Sequence, residues 1–311
     1  MPKTLVIKDK IKKFNKQIQV SGDKSLSIRW VLLASQAIGK SKAYNLLMSE
    51  DVLAAIDSIK KLGIKVRIQK NYCEIVGNGI NGFKYNKNLT IDAKNSGTLG
   101  RLILGLIIKS PKKIKIIGDK SLSKRDFSRV TIPLRKFGVK FSYKIKNKLP
   151  LTILGTQSAK GIKYFENKGS AQCKSSVMLA ALNASGTTSI KAKKSRNHTE
   201  LLFKYLKIPI KVRKTKKFDF IDIKKPKKIS AFNYQIPGDI SSSAFFMVLT
   251  TLADNSKLLV KNVNINPSRV GVITILKKMG AKIILKNQKN YRGEKISDIL
   301  IKSSKKLKAI N

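Results

Sequence analysis

Four stretches of this chain put small polar residues immediately ahead of an apolar run of helical length: KSLSIRWVLLASQAIG, SGTLGRLILGLII, AQCKSSVMLAALNASG and DISSSAFFMVLTTLAD. A helix start carries unpaired backbone N–H groups and the positive end of the helix dipole, so several convergent starts make an anion site. Small residues there let anionic oxygens reach the backbone. In the first stretch Lys24, Ser25 and Arg29 add a cation, a hydroxyl and a guanidinium to one such start. The chemistry this predicts is the capture of phosphates or carboxylates.

The use of arginine sharpens the expectation. Of 66 basic side chains only ten are Arg, and six of these, Arg29, Arg101, Arg125, Arg129, Arg196 and Arg269, fall in or beside such stretches. In a chain so rich in Lys, a retained Arg marks a place where a planar fork of donors is needed and a point charge does not serve.

The elements that must position these residues form a repeat. The hexapeptide GDKSLS occurs at Gly22–Ser27 and again at Gly118–Ser123. Each first helix is followed by a short strand: KAYNLL, KIKIIG, TTSIKA and KLLVKNV. Each second helix ends in a kindred signature, LGIKV from Leu62, FGVKF from Phe137, KIPIKV from Lys207 and MGAKI from Met279, where Gly or Pro stops the helix and β-branched residues open a strand. A further strand closes each copy: YCEIVG, LPLTILG, FDFIDI and SDILIK. The pattern predicts an α/β protein of repeated βαβαββ units whose first helices, apolar over most of their surface, are buried.

Composition narrows the class. The 311 residues, 42% of them apolar, suffice for two cored domains. No stretch reaches the ~18 uninterrupted apolar residues of a membrane span, and the first residues do not read as a secretory signal, which predicts a cytoplasmic protein. Cys73 and Cys173 stand in no metal-ligand spacing, so both are expected to be buried apolar residues, with no disulfide and no metal. A net charge of +49 and a pI near 10.4 resemble the footprint of a nucleic-acid binder. The lysines, however, are spread through almost every element, and clusters such as Lys224, Lys225, Lys227 and Lys228 have no interleaved aromatics. No specific nucleic-acid partner is expected.

Taken in order, the motifs resemble those of the EPSP synthase (3-phosphoshikimate 1-carboxyvinyltransferase) family of enolpyruvyl transferases. SGDKSLSIRW is similar to the family's G-x-K-S-x-S-x-R, DAKNSGTLGR to N-[AS]-G-T-x-x-R, GDKSLSKRDFSRV to G-D-x-S-L-x-x-R-P, KGSAQCKSS to S-A-Q-x-K-S, and KSRNHTELL to S-R-D-H-T-E. PGDISSSAFF and NPSRVGV resemble motifs of the family's second domain. The resemblance implies a shikimate 3-phosphate site built from Lys24, Ser25, Arg29, Ser170, Ala171, Gln172 and Arg196. It implies a phosphoenolpyruvate site from Lys24, Asn95, Gly97, Arg125 and Gln172, with Lys24 catalytic. Arg101 would steady the local network, Ser195 would donate a hydrogen bond, His198 would be structural, and Asp239 and Ser241 would fix a domain junction. Glu50 and Asp51 in SEDV are expected to cap the second helix. Asp126 departs from the pattern, since the family has proline there.

The implied reaction is protonation of the enol carbon of phosphoenolpyruvate, attack by the 5-hydroxyl of shikimate 3-phosphate, and loss of phosphate from a tetrahedral intermediate, without metal or organic cofactor. The implied fold is a two-domain inverse α/β barrel with four of the family's six units present. Residues 18–228 would form a complete domain of three units, and 1–17 with 229–311 an incomplete second one with uncovered apolar faces. A monomer of low turnover is expected, since the family's later acidic and basic motifs do not appear in the chain. Two rivals stand beside this reading. The UDP-N-acetylglucosamine enolpyruvyl transferases share the repeats but have Asn where Ser25 stands and a cysteine in the loop here reading SLSKR. A polyanion-binding protein is suggested by charge alone.

Overall fold

The computed structural model describes residues 11–86, 88–304 and 306–310; residues 1–10 of the expected second domain lie outside it. The chain divides into two units, one of residues 22–236 and one of residues 1–21 with 237–311. Residues 229–236, expected with the second domain, belong to the larger unit because they run beside its first sheet.

The smaller unit begins with β1 (Asn15–Ile18), and the chain then enters the larger one. There the first repeat comprises α1 (Lys24–Ser35), β2 (Ile38–Tyr44), α2 (Glu50–Lys61), β3 (Lys65–Ile68) and β4 (Tyr72–Asn78). The second comprises β5 (Leu89–Asp92), α3 (Gly97–Leu106), β6 (Ile114–Ile117), the single turn α4 (Lys120–Ser123), α5 (Ser128–Arg135), β7 (Lys140–Tyr143) and β8 (Leu151–Leu154). The third comprises β9 (Lys163–Glu166), α6 (Ala171–Ala181), β10 (Thr187–Lys193), α7 (His198–Tyr205), β11 (Ile210–Lys214) and β12 (Phe218–Lys224). A two-residue strand, β13 (Tyr234–Gln235), follows before the chain returns to the smaller unit for α8 (Ile240–Leu252), β14 (Lys257–Asn264), α9 (Gly271–Lys278), β15 (Lys282–Tyr291) and β16 (Glu294–Lys302).

Each repeat makes a four-stranded sheet with the same logic: a parallel edge pair, then two antiparallel pairings, in the orders β13-β2-β4-β3, β5-β6-β8-β7, β9-β10-β12-β11 and β1-β14-β16-β15. Two edge strands are exchanged relative to chain order. β1, which precedes α1, pairs in parallel with β14, while β13, which precedes α8, pairs in parallel with β2. Repetition in sequence could not reveal this, because each exchanged strand is short and its partner is more than 180 residues away.

In the larger unit α1, α3 and α6 form the core, and each is buried over nearly its whole circumference, from Leu26 to Ser35 in α1 and from Cys173 to Ala181 in α6. An all-round apolar helix has no solvent face to offer, so it must be enclosed. α3 and α6 approach so closely that a Cβ on Gly105 would stand 2.1 Å from the Ser176 carbonyl oxygen, which requires glycine there. The Ser176 hydroxyl donates to the Arg101 carbonyl at 2.8 Å and fixes the pair. α1 is shorter than its apolar run, ending at Ser35, because Ile38 already donates its N–H to Ile229 and begins β2.

The smaller unit packs α8 and α9 on its sheet around Met247, Val260, Ile273 and Ile299. The opposite side of α8 is open: Phe245 is 79% exposed, alongside Phe246, Val248, Leu249 and Leu252. Among the described residues no helix is long and apolar enough to cross a membrane.

Both cysteines are free and buried. Burial pushes the Cys73 thiol up to about 11 and raises that of Cys173, so almost no thiolate is present at neutral pH. Both thiols should therefore react with a thiol reagent at pH 8 only slowly until the chain is unfolded; labelling of the native chain at the unfolded rate would contradict this placement.

Candidate anion-binding site

The site residues of the larger unit lie on the first two turns of α1, α3 and α6, on the loops feeding them, and on the loops after α4 and before α7. Each helix is started by a side-chain cap: Asp23 accepts from the Leu26 N–H at 2.9 Å, Ser96 from Leu99 at 3.2 Å, and Ser170 from Cys173 at 3.3 Å. Each cap satisfies one orphan donor and leaves the other N–H groups of the turn pointing outward.

Two networks tie the starts together. In the first, Arg29 is buried in α1 and reaches α6 and α7, donating from Nε to the Thr199 hydroxyl at 2.8 Å and from Nη2 to the Ser175 hydroxyl at 3.0 Å, while Nη1 donates to the Ser25 carbonyl at 3.0 Å. Ser175 and Thr199 are themselves hydrogen-bonded at 2.7 Å. Beside them Lys174, fully buried, forms an ion pair with buried Glu200 at 2.6 Å that joins α6 to α7.

In the second network Arg101 Nη1 donates to the Gln172 side-chain oxygen at 2.8 Å, and Gln172 returns a bond from Nε2 to the Thr98 hydroxyl at 2.9 Å. Gly97 opens α3 between two arginines: a Cβ built on it would stand 2.9 Å from Nη1 of both Arg101 and Arg125. Burial, and then the neighbouring Arg125 and Arg129, hold the Arg101 guanidinium below its ordinary pKa. Like charges brought this close favour an anion between them. Asn95, in the loop before α3, donates to Asp119 at 2.5 Å, and Asp119 caps α4 through Leu122 at 2.7 Å. Hydrogen bonds from Leu122 and Asn95 hold the Asp119 carboxyl below the usual range.

The structure thus brings Asn95, Gly97, Arg101, Arg125 and Gln172 together, and links Ser25 and Arg29 to α6 and α7. Ser170 and Ala171 sit at the start of α6 beside Gln172. Lys24 opens α1, largely exposed, with Nζ 3.1 Å from Asp51 Oδ2. That contact gives Asp51 a second task beyond the first turn of α2, where it stands with Glu50 after an N-cap Ser49 that makes no side-chain cap bond. Arg196 is exposed in the loop between β10 and α7, three residues before Thr199. His198 opens α7 and is fully buried. Asp126, in place of the family's proline, accepts from the Ser128 N–H at 2.7 Å and from its hydroxyl at 2.5 Å, so the loop into α5 is fixed by an Asp turn instead of a ring. In the smaller unit Asp239 caps α8 and pairs with Arg269 at 3.0 Å, and Arg269 also donates to Ser241 at 2.7 Å.

Sequence reasoning missed four supporting residues. Thr98 orients Gln172, and Ser175 and Thr199 hold Arg29. Glu166, buried at the end of β9, accepts the N–H groups of Lys168 at 3.1 Å and Ser170 at 2.9 Å and so shapes the loop into α6. The available signal was its scarcity, one of only 17 acidic residues, at the end of an expected strand. Among the described residues no group of three or more His, Cys, Asp or Glu side chains is arranged to hold a metal.

A Gly97→Ala substitution should leave the fold intact, because the atoms its methyl meets are the ends of flexible side chains. It should displace both guanidinium groups and weaken binding of a small anion at α3 by about tenfold, roughly 1.4 kcal/mol, while binding elsewhere in the unit is unchanged. Titration of the variant with phosphoenolpyruvate checks this, and unaltered affinity would refute the geometry.

The profile of the family described as EPSP synthase (3-phosphoshikimate 1-carboxyvinyltransferase) matches residues 8–311. The chain is 39% identical over 289 residues to a 3-phosphoshikimate 1-carboxyvinyltransferase from Thermoanaerobacter sp. (strain X514), covering 93% of this chain and 67% of the relative. It is 37% identical over 305 residues to the protein of that name from Bacillus subtilis (strain 168), covering 97% and 70%. A solved EPSP synthase from Acinetobacter baumannii superposes with a TM-score of 0.87 at 35% identity, covering 96% of this chain and 67% of that one. The chain spans about two thirds of the length of these relatives, and it belongs to the EPSP synthase family.

Proposed function

We propose that this chain binds shikimate 3-phosphate and phosphoenolpyruvate and transfers the enolpyruvyl group to the 5-hydroxyl of the shikimate ring, releasing phosphate. The observation that carries the reading is the convergence of Arg101 and Arg125 on the first residue of α3, with Gln172 bonded to Arg101 from the start of α6. Two guanidinium groups and an amide at two helix starts suit the carboxylate and phosphate of phosphoenolpyruvate. Lys24, Ser25, Arg29, Ser170, Ala171, Gln172 and Arg196 hold the shikimate phosphate and ring in this reading, while Asn95, Gly97 and Arg125, with Lys24 and Gln172 shared, hold phosphoenolpyruvate.

The chemistry needs fixed cations more than it needs a strong nucleophile. Loss of phosphate passes negative charge onto its oxygens, which positioned donors stabilise without reorganising, while addition to the enol double bond begins with protonation of its methylene carbon. Holding the 5-hydroxyl against the phosphate-bearing carbon of phosphoenolpyruvate lowers the barrier further by orientation. Lys24 exchanges its contact with Asp51 for substrate; an exposed pair of this kind is worth at most about 1 kcal/mol, so the exchange is easy.

A thermal-shift series tests the substrate. Shikimate 3-phosphate at about 100 times its Kd should stabilise the larger unit by about 2.7 kcal/mol, and UDP-N-acetylglucosamine should leave its melting temperature unchanged. The opposite selectivity would replace this reading with that of the sister transferases.

A further inference from the structure

The solvent face of the sheet β9-β10-β12-β11 lies on the side away from α6 and makes no use of the anion site. Its register places Phe165 beside Lys191, Lys191 beside Phe220, and Phe220 beside Arg213. One row across all four strands therefore reads aromatic, cation, aromatic, cation. Three strand spacings of about 4.8 Å give the row a span of roughly 14 Å. The next row, Lys163, Ser189, Asp222 and Lys211, is polar, and its one carboxylate is held by the Ser189 hydroxyl at 2.6 Å. These rows line a concavity of about 700 Å³.

The rings are bound to their cations. Lys191 Nζ lies 5.1 Å from the centroid of Phe165 and 4.6 Å from that of Phe218, and the Arg213 guanidinium lies 4.1 Å from Phe220. Phe165 nevertheless remains 49% exposed. A large apolar ring on an open sheet face, set among Lys163, Lys191, Lys211 and Arg213, suits a ligand that is both flat and anionic. Bases stack on rings and on guanidinium planes, and the adjoining phosphates meet the flanking cations. A purely electrostatic polyanion would need only the lysines.

We propose that this sheet face is a second binding site, for single-stranded nucleic acid regardless of its sequence. The contacts are stacking on Phe165, Phe220 and the Arg213 plane, with phosphates on Lys163, Lys191 and Lys211. The site is separate from enolpyruvyl transfer and does not depend on that reading. It was invisible in the linear sequence because its alternating residues come one each from four strands.

Fluorescence anisotropy with a labelled twelve-nucleotide oligouridylate, at about 0.15 M salt, tests it on the whole chain. The F165L/F220L variant keeps apolar bulk and every charge but removes the stacking faces, and its fold is checked by an unchanged melting temperature and unchanged shikimate 3-phosphate binding. The expected result is saturable binding by the wild-type chain, weakened about 30-fold in the variant. Equal affinity of wild type and variant would overturn the proposal, leaving charge alone. It would also be overturned if anionic phospholipid vesicles bound in a Phe-dependent manner while the oligonucleotide did not. Should F165L/F220L fail to fold, K191E is read against K115E on a different sheet: selective loss in K191E supports the site, and equal loss in both removes it.

Discussion

Glu200→Ala should destabilise the larger unit by about 3–5 kcal/mol, because it strips the anionic partner from a fully buried ammonium at 2.6 Å and leaves that charge in the core. For a unit of this size the loss amounts to roughly 10 °C in melting temperature. The effect should reach the site, since α7 carries Thr199, which holds the Arg29 Nε at 2.8 Å. Replacing both partners by apolar residues, K174M with E200L, should recover most of the stability because no charge then remains buried. Thermal melts of the two variants provide the check. A Glu200→Ala protein within about 1 kcal/mol of wild type would mean that the pair does not hold α6 to α7.

Arg125→Ala should have the reverse profile. Arg125 is exposed, so its removal should change stability by no more than about 0.5 kcal/mol. It should weaken phosphoenolpyruvate binding, titrated with shikimate 3-phosphate present, by about 100-fold, the scale of a lost charge-assisted hydrogen-bonded contact. The reason is positional: its Nη1 comes as near to Gly97 as that of Arg101, so the two guanidinium groups form one anion clamp at the start of α3. Shikimate 3-phosphate binding should be little altered. An Arg125→Ala chain with undiminished phosphoenolpyruvate affinity would assign that role to Arg101 and Gln172 alone.

The contrast between these substitutions also shows what was legible in sequence. The four first helices could be read because their runs are long and mostly apolar, and the same property is what buries α1, α3 and α6. Their caps, Asp23, Ser96, Ser170 and Asp239, were not singled out in that role, although Asp and Ser are the residue types that accept at a helix start. The exchange of β1 and β13 was not legible, since a pairing between Tyr234 and Ala43 leaves no trace in local periodicity. Nor was the Lys174–Glu200 pair, because periodicity cannot say which charged residue of a motif turns inward. The departure at Asp126 is resolved by geometry: its carboxylate faces Ser128, and hydrogen bonding there holds it below the ordinary range.

The motif residues were legible as types, but their division of labour was not. Arg29 and Arg101 are alike in sequence, the sixth residue of α1 and the fifth of α3, yet Arg29 is buried against two hydroxyls of other helices while Arg101 lies half-buried at the mouth. Only tertiary packing separates a residue that braces the site from one that presents charge to a ligand.

In the proposed function the helix starts of the larger unit make a shikimate 3-phosphate site. It is tested most directly by calorimetric titration of the chain with that compound, beside a Lys24→Ala, Arg196→Ala variant, at about physiological salt. Both replaced side chains are exposed, so the variant should stay folded. Saturable one-site binding by the wild-type chain and its loss in the variant are the expected results. No binding by a folded wild-type chain, or equal binding by both, would contradict it.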